Sequence, residues 1–95
     1  MSEALERAAA KLREKLGGQP IDGSVKFEVE EGGAIVISGA DVSVGDADAD
    51  VTVTGSLETF QAMFDGDLAP TAAYMTGKVK VEGDMGMAMK LSQFL

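Results

Sequence analysis

Residues 84–95, DMGMAMKLSQFL, limit what this chain can fold into more than any other stretch. Taken as a helix at about 100° per residue, they confine the polar residues Lys90 and Gln93 to one narrow wedge. Met85, Met87, Ala88, Met89, Leu91, Phe94 and Leu95 then spread round more than half the circumference, too wide an apolar surface for a single core face. Such a helix must be buried on two sides. Four of the six methionines fall between positions 75 and 89, and flexible thioethers make a wall that can reshape around an apolar guest.

At 95 residues the chain is expected to be one domain, 1–95, that buries roughly 60–65% of the surface exposed when unfolded. No apolar run approaches the roughly 20 residues of a membrane-spanning helix. The N-terminus MSEALERAAAKLREKL lacks the basic start and apolar centre of a secretory signal, and there is no cysteine for a disulfide framework, so the cytoplasm is the expected compartment. Eight basic against sixteen acidic residues give a net charge of −8, which repels phosphate backbones and argues against nucleic acid as a partner. The charge is uneven. Arg7, Lys11, Arg13 and Lys15 lie in the first helix, whereas residues 22–67 hold Lys26 against eleven acids. Any contact with an anionic membrane is expected to be weak and to use the N-terminal helix.

Ser2 is a candidate cap for that helix, with Leu5, Ala9, Leu12 and Leu16 on one stripe and Gly17-Gly18 at its end. SVKFEVE alternates Val25, Phe27 and Val29 inward, and Glu31-Gly32-Gly33 turns it into AIVISG, forming a hairpin. DVSVG, DADADVTVTG and KVKVEG are further strands. Ser56 can cap a helix carrying Leu57, Phe60, Met63 and Phe64 on one face, closed by Asp65-Gly66. Pro70 suits the first turn of a shorter helix and Gly77 its left-handed end. The fold class is therefore α+β, with about five strands in a mainly antiparallel sheet and helices on one face.

Without histidine or cysteine the chain cannot form a thiol nucleophile, a Ser-His pair or the usual zinc or haem ligand set, so neither an enzyme nor a cofactor is expected. The alternating acids Asp46, Asp48 and Asp50 suggest a calcium loop at first sight. That pattern needs glycine where Val51 stands and glutamate where Leu57 stands, and it runs into a strand rather than a helix. These acids read instead as a solvated edge that discourages strand pairing, and no metal site is expected. What remains is the set Phe60, Met63, Phe64, Tyr74, Met75, Met85, Met87 and Met89, a pattern that plain core packing also produces.

From about residue 50 onward the sequence resembles the sterol carrier protein 2 (SCP-2) family of lipid-binding domains. The resemblance rests on ADVTVTG, then SLETFQAMFDG with its paired phenylalanines, then a short helix closed by Gly77, and above all GKVKVEGD at 77–84. The N-terminal helix, the hairpin at 24–39 and the overall length also fit, and residues 40–49 fit least. The resemblance implies a five-stranded sheet covered by helices, with an apolar tunnel closed by the C-terminal helix. In relatives that tunnel takes fatty acyl chains, acyl-CoA, sterols or other lipids. Carried onto this chain, its candidate lining is Phe60, Met63 and Phe64, then Tyr74 and Met75, then Met85, Met87, Met89, Leu91 and Phe94.

Two departures from the family shape the expectation. The chain ends Gln93-Phe94-Leu95 rather than in a peroxisomal tripeptide, which favours a bacterial or archaeal cytoplasmic protein. Its acidity favours lipid binding over transfer between anionic membranes. The expected function is non-catalytic binding or carriage of a fatty acyl, acyl-CoA, sterol-like or isoprenoid lipid. The alternative is an accessory interaction module that uses the same fold, docking as a homodimer or on an enzyme partner.

Overall fold

The computed structural model describes residues 2–92, without the Ser2 side chain. Along the chain run α1 (Ser2–Leu16), β1 (Ser24–Val29), β2 (Ala34–Ser38), β3 (Asp41–Val44), β4 (Val51–Gly55), α2 (Leu57–Asp65), α3 (Pro70–Met75), β5 (Val79–Gly83) and α4 (Met85–Ser92). Helix α1 begins at Ser2 itself, and the side chain expected to cap it lies outside the described residues, as do Phe94 and its neighbours 93 and 95.

The strands form a single sheet in the order β3-β2-β1-β4-β5. Three neighbouring pairs are antiparallel, and β1 and β4 are parallel. Register aligns the inward residues of all five strands: Val44, Ile35, Phe27, Val53 and Val81 stand in one row, and Val42, Ile37, Val25 and Val51 in the next. Because side chains alternate between faces, these rows give one apolar surface. The helices cover that surface. Leu5, Leu12 and Leu16 of α1, Phe60, Met63 and Phe64 of α2, Ala73 of α3 and Met87 and Leu91 of α4 join it in one buried cluster. Burial of a side chain such as Leu12, fully inside, contributes about 1.5–3 kcal/mol. Arg13 also ties α1 to strand β3, donating to the Val42 carbonyl from Nη2 at 2.6 Å and Nε at 3.2 Å.

The acidic stretch does not form a sheet edge. A hairpin would have placed β4 beside β3, but β4 lies beside β1, so residues 45–50 must cross the sheet's polar face. Lys26 meets them there, its Nζ 3.0 Å from Asp46 Oδ1. That hydrogen bond holds the Lys26 ammonium above its ordinary value, against the opposing effect of desolvation. The crossing segment and the Lys26 stem account for the burial of Val36, which is in register with Lys26 on this face. Asp50 then clamps the start of β1: its Oδ2 accepts from the Ser24 amide at 3.1 Å, while its own amide donates to the Ser24 carbonyl at 3.2 Å.

Helix ends follow the sequence signals. The Thr59 amide donates to Ser56 Oγ at 3.1 Å, capping α2, and Pro70 opens α3. Helix α4 starts at Met85 because Asp84 precedes it as a cap, its Oδ1 accepting from the Met87 amide at 3.2 Å. Gly83 makes the turn into that helix. Its φ is +108°, and a Cβ there would collide with the Asp50 carbonyl, which accepts from the Asp84 amide at 3.0 Å.

Candidate apolar binding site

The sheet, α2, α3 and α4 enclose a cleft of about 280 Å³. Phe27, Val53, Val79 and Val81 on the inner face of β1, β4 and β5 form its floor, and Met63 of α2 closes its back. Pro70, Thr71 and Tyr74 of α3 form one wall, and Met85, Ala88, Met89, Leu91 and Ser92 of α4 form the other. The lining includes no charged side chain. Its polar groups are the hydroxyls of Thr71, Tyr74 and Ser92, and Ser92 Oγ is already committed, donating to the Met89 carbonyl at 2.7 Å.

The floor is held stiff by an aromatic cluster. Phe27 meets Phe60 edge-on with ring centroids 5.4 Å apart and Phe64 edge-on at 5.2 Å, while Phe60 and Phe64 stack at 6.0 Å. Such pairs contribute roughly 0.5–1.5 kcal/mol beyond area burial. Phe27 thus presents to the cleft, with the other two rings behind it in the core.

Of the ten lining candidates from the sequence, Met63, Tyr74, Met85, Met89 and Leu91 line the cleft. Phe60 and Phe64 are wholly buried in the core beside it. Met87 is also buried, and turns away from the cleft: its Sδ and Cε lie 2.9 and 2.8 Å from where a Cβ on Gly23 would stand, beside a backbone whose φ of +121° favours glycine. Met75 is 80% exposed and outside the cleft. Phe94 lies outside the described residues. The missed lining residues are Phe27, Val53, Val79 and Val81 from the strands, with Pro70, Thr71, Ala88 and Ser92 from the helices. Strand alternation already marked Phe27, Val53, Val79 and Val81 as one parity, a signal that could have found the floor.

A second depression of about 300 Å³ lies between α1 and α2, lined by Arg7, Ala8, Lys11, Gln61 and Asp65. Four of its five lining residues carry charged or polar groups, and Lys11 and Asp65 pair across it at 3.7 Å. Of the other bases of α1, Arg7 pairs with Glu3 at 3.3 Å and Arg13 binds the Val42 carbonyl, while Lys15 is exposed. Among the described residues no three acidic, histidine or cysteine side chains converge on a metal position. The cleft can hold an apolar molecule, and its lining supplies no carboxylate, ammonium or guanidinium to act on one.

A family profile described as the SCP-2 sterol transfer family matches residues 2–95. Over 47 residues, half of this chain, the sequence is 47% identical to hydroxysteroid dehydrogenase-like protein 2 of Danio rerio, of which the match covers 11%. The match therefore spans about a tenth of the length of these curated relatives. Among solved structures, the crystal structure of sterol carrier protein 2 like 2 from Aedes aegypti superposes with a TM-score of 0.78 at 23% identity, covering 99% of this chain and 98% of that one. The solution structure of Aedes aegypti sterol carrier protein 2 in complex with palmitate gives 0.75 at 21% identity, covering 99% and 96%. Sterol carrier protein domain 2 of Helicoverpa armigera gives 0.63 at 35% identity, covering 96% and 76%.

Proposed function

Because the chain belongs to the SCP-2 sterol transfer family, we propose that its cleft holds the hydrocarbon part of one fatty-acyl-type lipid, and that the protein carries or sequesters this lipid without acting on it chemically. The observation that supports this reading is the cleft itself, apolar but for three hydroxyls, free of charged lining and walled on one side by two methionines. A palmitate complex of a structural neighbour supports the same class of ligand.

Volume and energy narrow the ligand. An apolar cavity of about 150 Å³ accepts benzene, so a cleft of about 280 Å³ corresponds to roughly a dozen carbons. At about 0.8 kcal/mol per buried CH₂, such a chain gains about 10 kcal/mol before ordering costs, which places affinity near the micromolar range. A rigid sterol would need α4 to move outward. The polar end of the lipid belongs at the mouth, where the Thr71 and Tyr74 hydroxyls and water can solvate it; with no cation in the lining, a carboxylate would stay outside.

Native mass spectrometry of the purified protein, combined with fluorescence displacement by fatty acids of graded length, tests the proposal. Adducts of fatty-acid mass and displacement that peaks at an intermediate chain length are expected. A clean unliganded mass together with no displacement by any acyl chain contradicts it.

A further inference from the structure

Four large apolar side chains stand exposed among the described residues: Tyr74 at 51%, Met75 at 80%, Met85 at 46% and Met89 at 70%. All belong to α3 and α4, and three of them also line the cleft, so the exposed patch is the rim of the cleft, extended by Met75. An exposed apolar patch of this kind marks an interaction surface.

The charge around the rim differs from that of the rest of the chain. All but Glu82 and Asp84 of the sixteen acidic residues precede Pro70. Glu82 is in register with Thr52 on the sheet's polar face, away from the cleft, and the Asp84 carboxylate is committed to the Met87 amide. Neither α3 nor α4 contains an acid, although the exposed Asp84 directly precedes α4, while Lys78, three residues after Met75, and Lys90, next in sequence to Met89, are exposed. Helix α1 offers no comparable surface. Its apolar stripe is buried, Arg7, Lys11 and Arg13 are engaged within the chain, and the exposed Lys15 stands with no exposed large apolar side chain on that helix among the described residues.

We propose that the α3–α4 rim docks on an anionic lipid bilayer, with Met75 and Met89 entering the interfacial zone and Lys78 and Lys90 reaching the headgroups, and that lipid enters and leaves the cleft through this rim. Apolar insertion and headgroup attraction act together in such contacts. The acidic remainder, repelled by the same surface, turns the rim toward the membrane and keeps the contact weak. A second copy fits the rim less well, since two chains of net charge −8 repel each other and four side chains bury little area. The inference builds on the cleft as a lipid site and is tested apart from it.

Vesicle flotation with phosphatidylcholine alone, and with a third of it replaced by phosphatidylserine, compares three proteins: the wild type, M75S/K90E, and R7E/K11E. None of the four substituted side chains lines the cleft, so lipid occupancy by native mass spectrometry should match the wild type in both variants; the melting temperature should match in M75S/K90E and fall slightly in R7E/K11E, which sets like charges against Glu3 and Asp65. The wild type should float with the anionic vesicles and respond to salt in part. M75S/K90E should lower the partition coefficient at least about 25-fold, since K90E changes the rim charge by two at roughly fivefold each, and R7E/K11E should lower it far less. Three results overturn the proposal: no flotation of the wild type, loss of flotation in R7E/K11E with retention in M75S/K90E, or a concentration-dependent dimer that disappears in M75S/K90E. Because lipid occupancy is read in the same samples, a failed docking surface is distinguishable from a failed cleft.

Discussion

Met85, Met87 and Met89 lie two residues apart, yet the structure gives them different tasks. At about 100° per residue, Met87 points roughly 200° from Met85 and therefore buries itself against Gly23, whereas Met89 returns to within about 40° of Met85 and shares the cleft with it. Truncating Met87 to alanine should lower stability by about 2–5 kcal/mol, as for other buried side chains. Replacing Met85 or Met89 with leucine should change stability by less than about 1.5 kcal/mol while shifting the preferred acyl chain length, because a stiffer branched side chain reshapes the mouth. Thermal melts and displacement titrations on the same variants check both; a chain-length shift from Met87→Leu with none from Met85→Leu or Met89→Leu would reverse the assignment. Lys26 gives a test by pH. Its ammonium is held above the ordinary value by Asp46, so the ion pair's contribution is fully present below the unfolded lysine value of about 10.4 and is lost as pH rises through the folded one. The stability gap between wild type and K26M should therefore stay level through neutral pH and close in the alkaline range. A gap that widens there contradicts this.

At the scale of elements, the site depends on how α4 is attached. Gly83 turns the chain at φ +108° against the Asp50 carbonyl, Asp84 caps the helix, and Met87 pins it at Gly23. Gly83→Ala should lower the melting temperature and weaken acyl binding together, because strain and collision both move α4. Asp84→Ala should cost only about 1 kcal/mol and leave chain-length preference intact. Melts paired with displacement separate these outcomes, and a Gly83→Ala protein that binds like the wild type would contradict the attachment. Helix ends were legible in the sequence because Ser56, Gly66, Pro70 and Gly77 each act on the backbone next to them. The neighbour of β4 was not, since a period of two names the face of a strand and not its partner; hence the acids at 45–50 read as an edge although they cross the sheet. The spacing that made α4 too apolar for one face was also legible, but the burial on two sides expected from it does not form: Met87 and Leu91 are buried, whereas Met85 and Met89 stay 46% and 70% exposed over the cleft. Which of its residues meet the cleft was not legible, because that depends on the angle Gly83 imposes. Phe60 and Phe64 have the helical spacing of a lining pair, and Phe27, arriving from a distant strand, takes the position between them and the cleft.

For the whole molecule, the cleft is large against the stability available. An apolar cavity of about 280 Å³ left dry and unfilled would cost up to about 7 kcal/mol, within the 5–15 kcal/mol that holds a typical domain together. Methionine rotamers, water at the open mouth, or a bound chain must offset this, which links folding to occupancy. An acyl ligand at a hundred times its Kd should accordingly add about 2.7 kcal/mol and raise the melting temperature by roughly 10–20 °C. Fatty acids that bind yet leave the melt unmoved would mean that they also bind the unfolded chain. The most direct test of the cleft as the lipid site uses the methionines as reporters, in a carbon–proton NMR spectrum of protein labelled at the methionine methyls, titrated with dodecanoic acid. The methyls of Met63, Met85 and Met89 should shift together and saturate at one equivalent, with Met75 unmoved. Saturable binding that shifts Met75 alone, or none of the cleft methionines, would contradict the account.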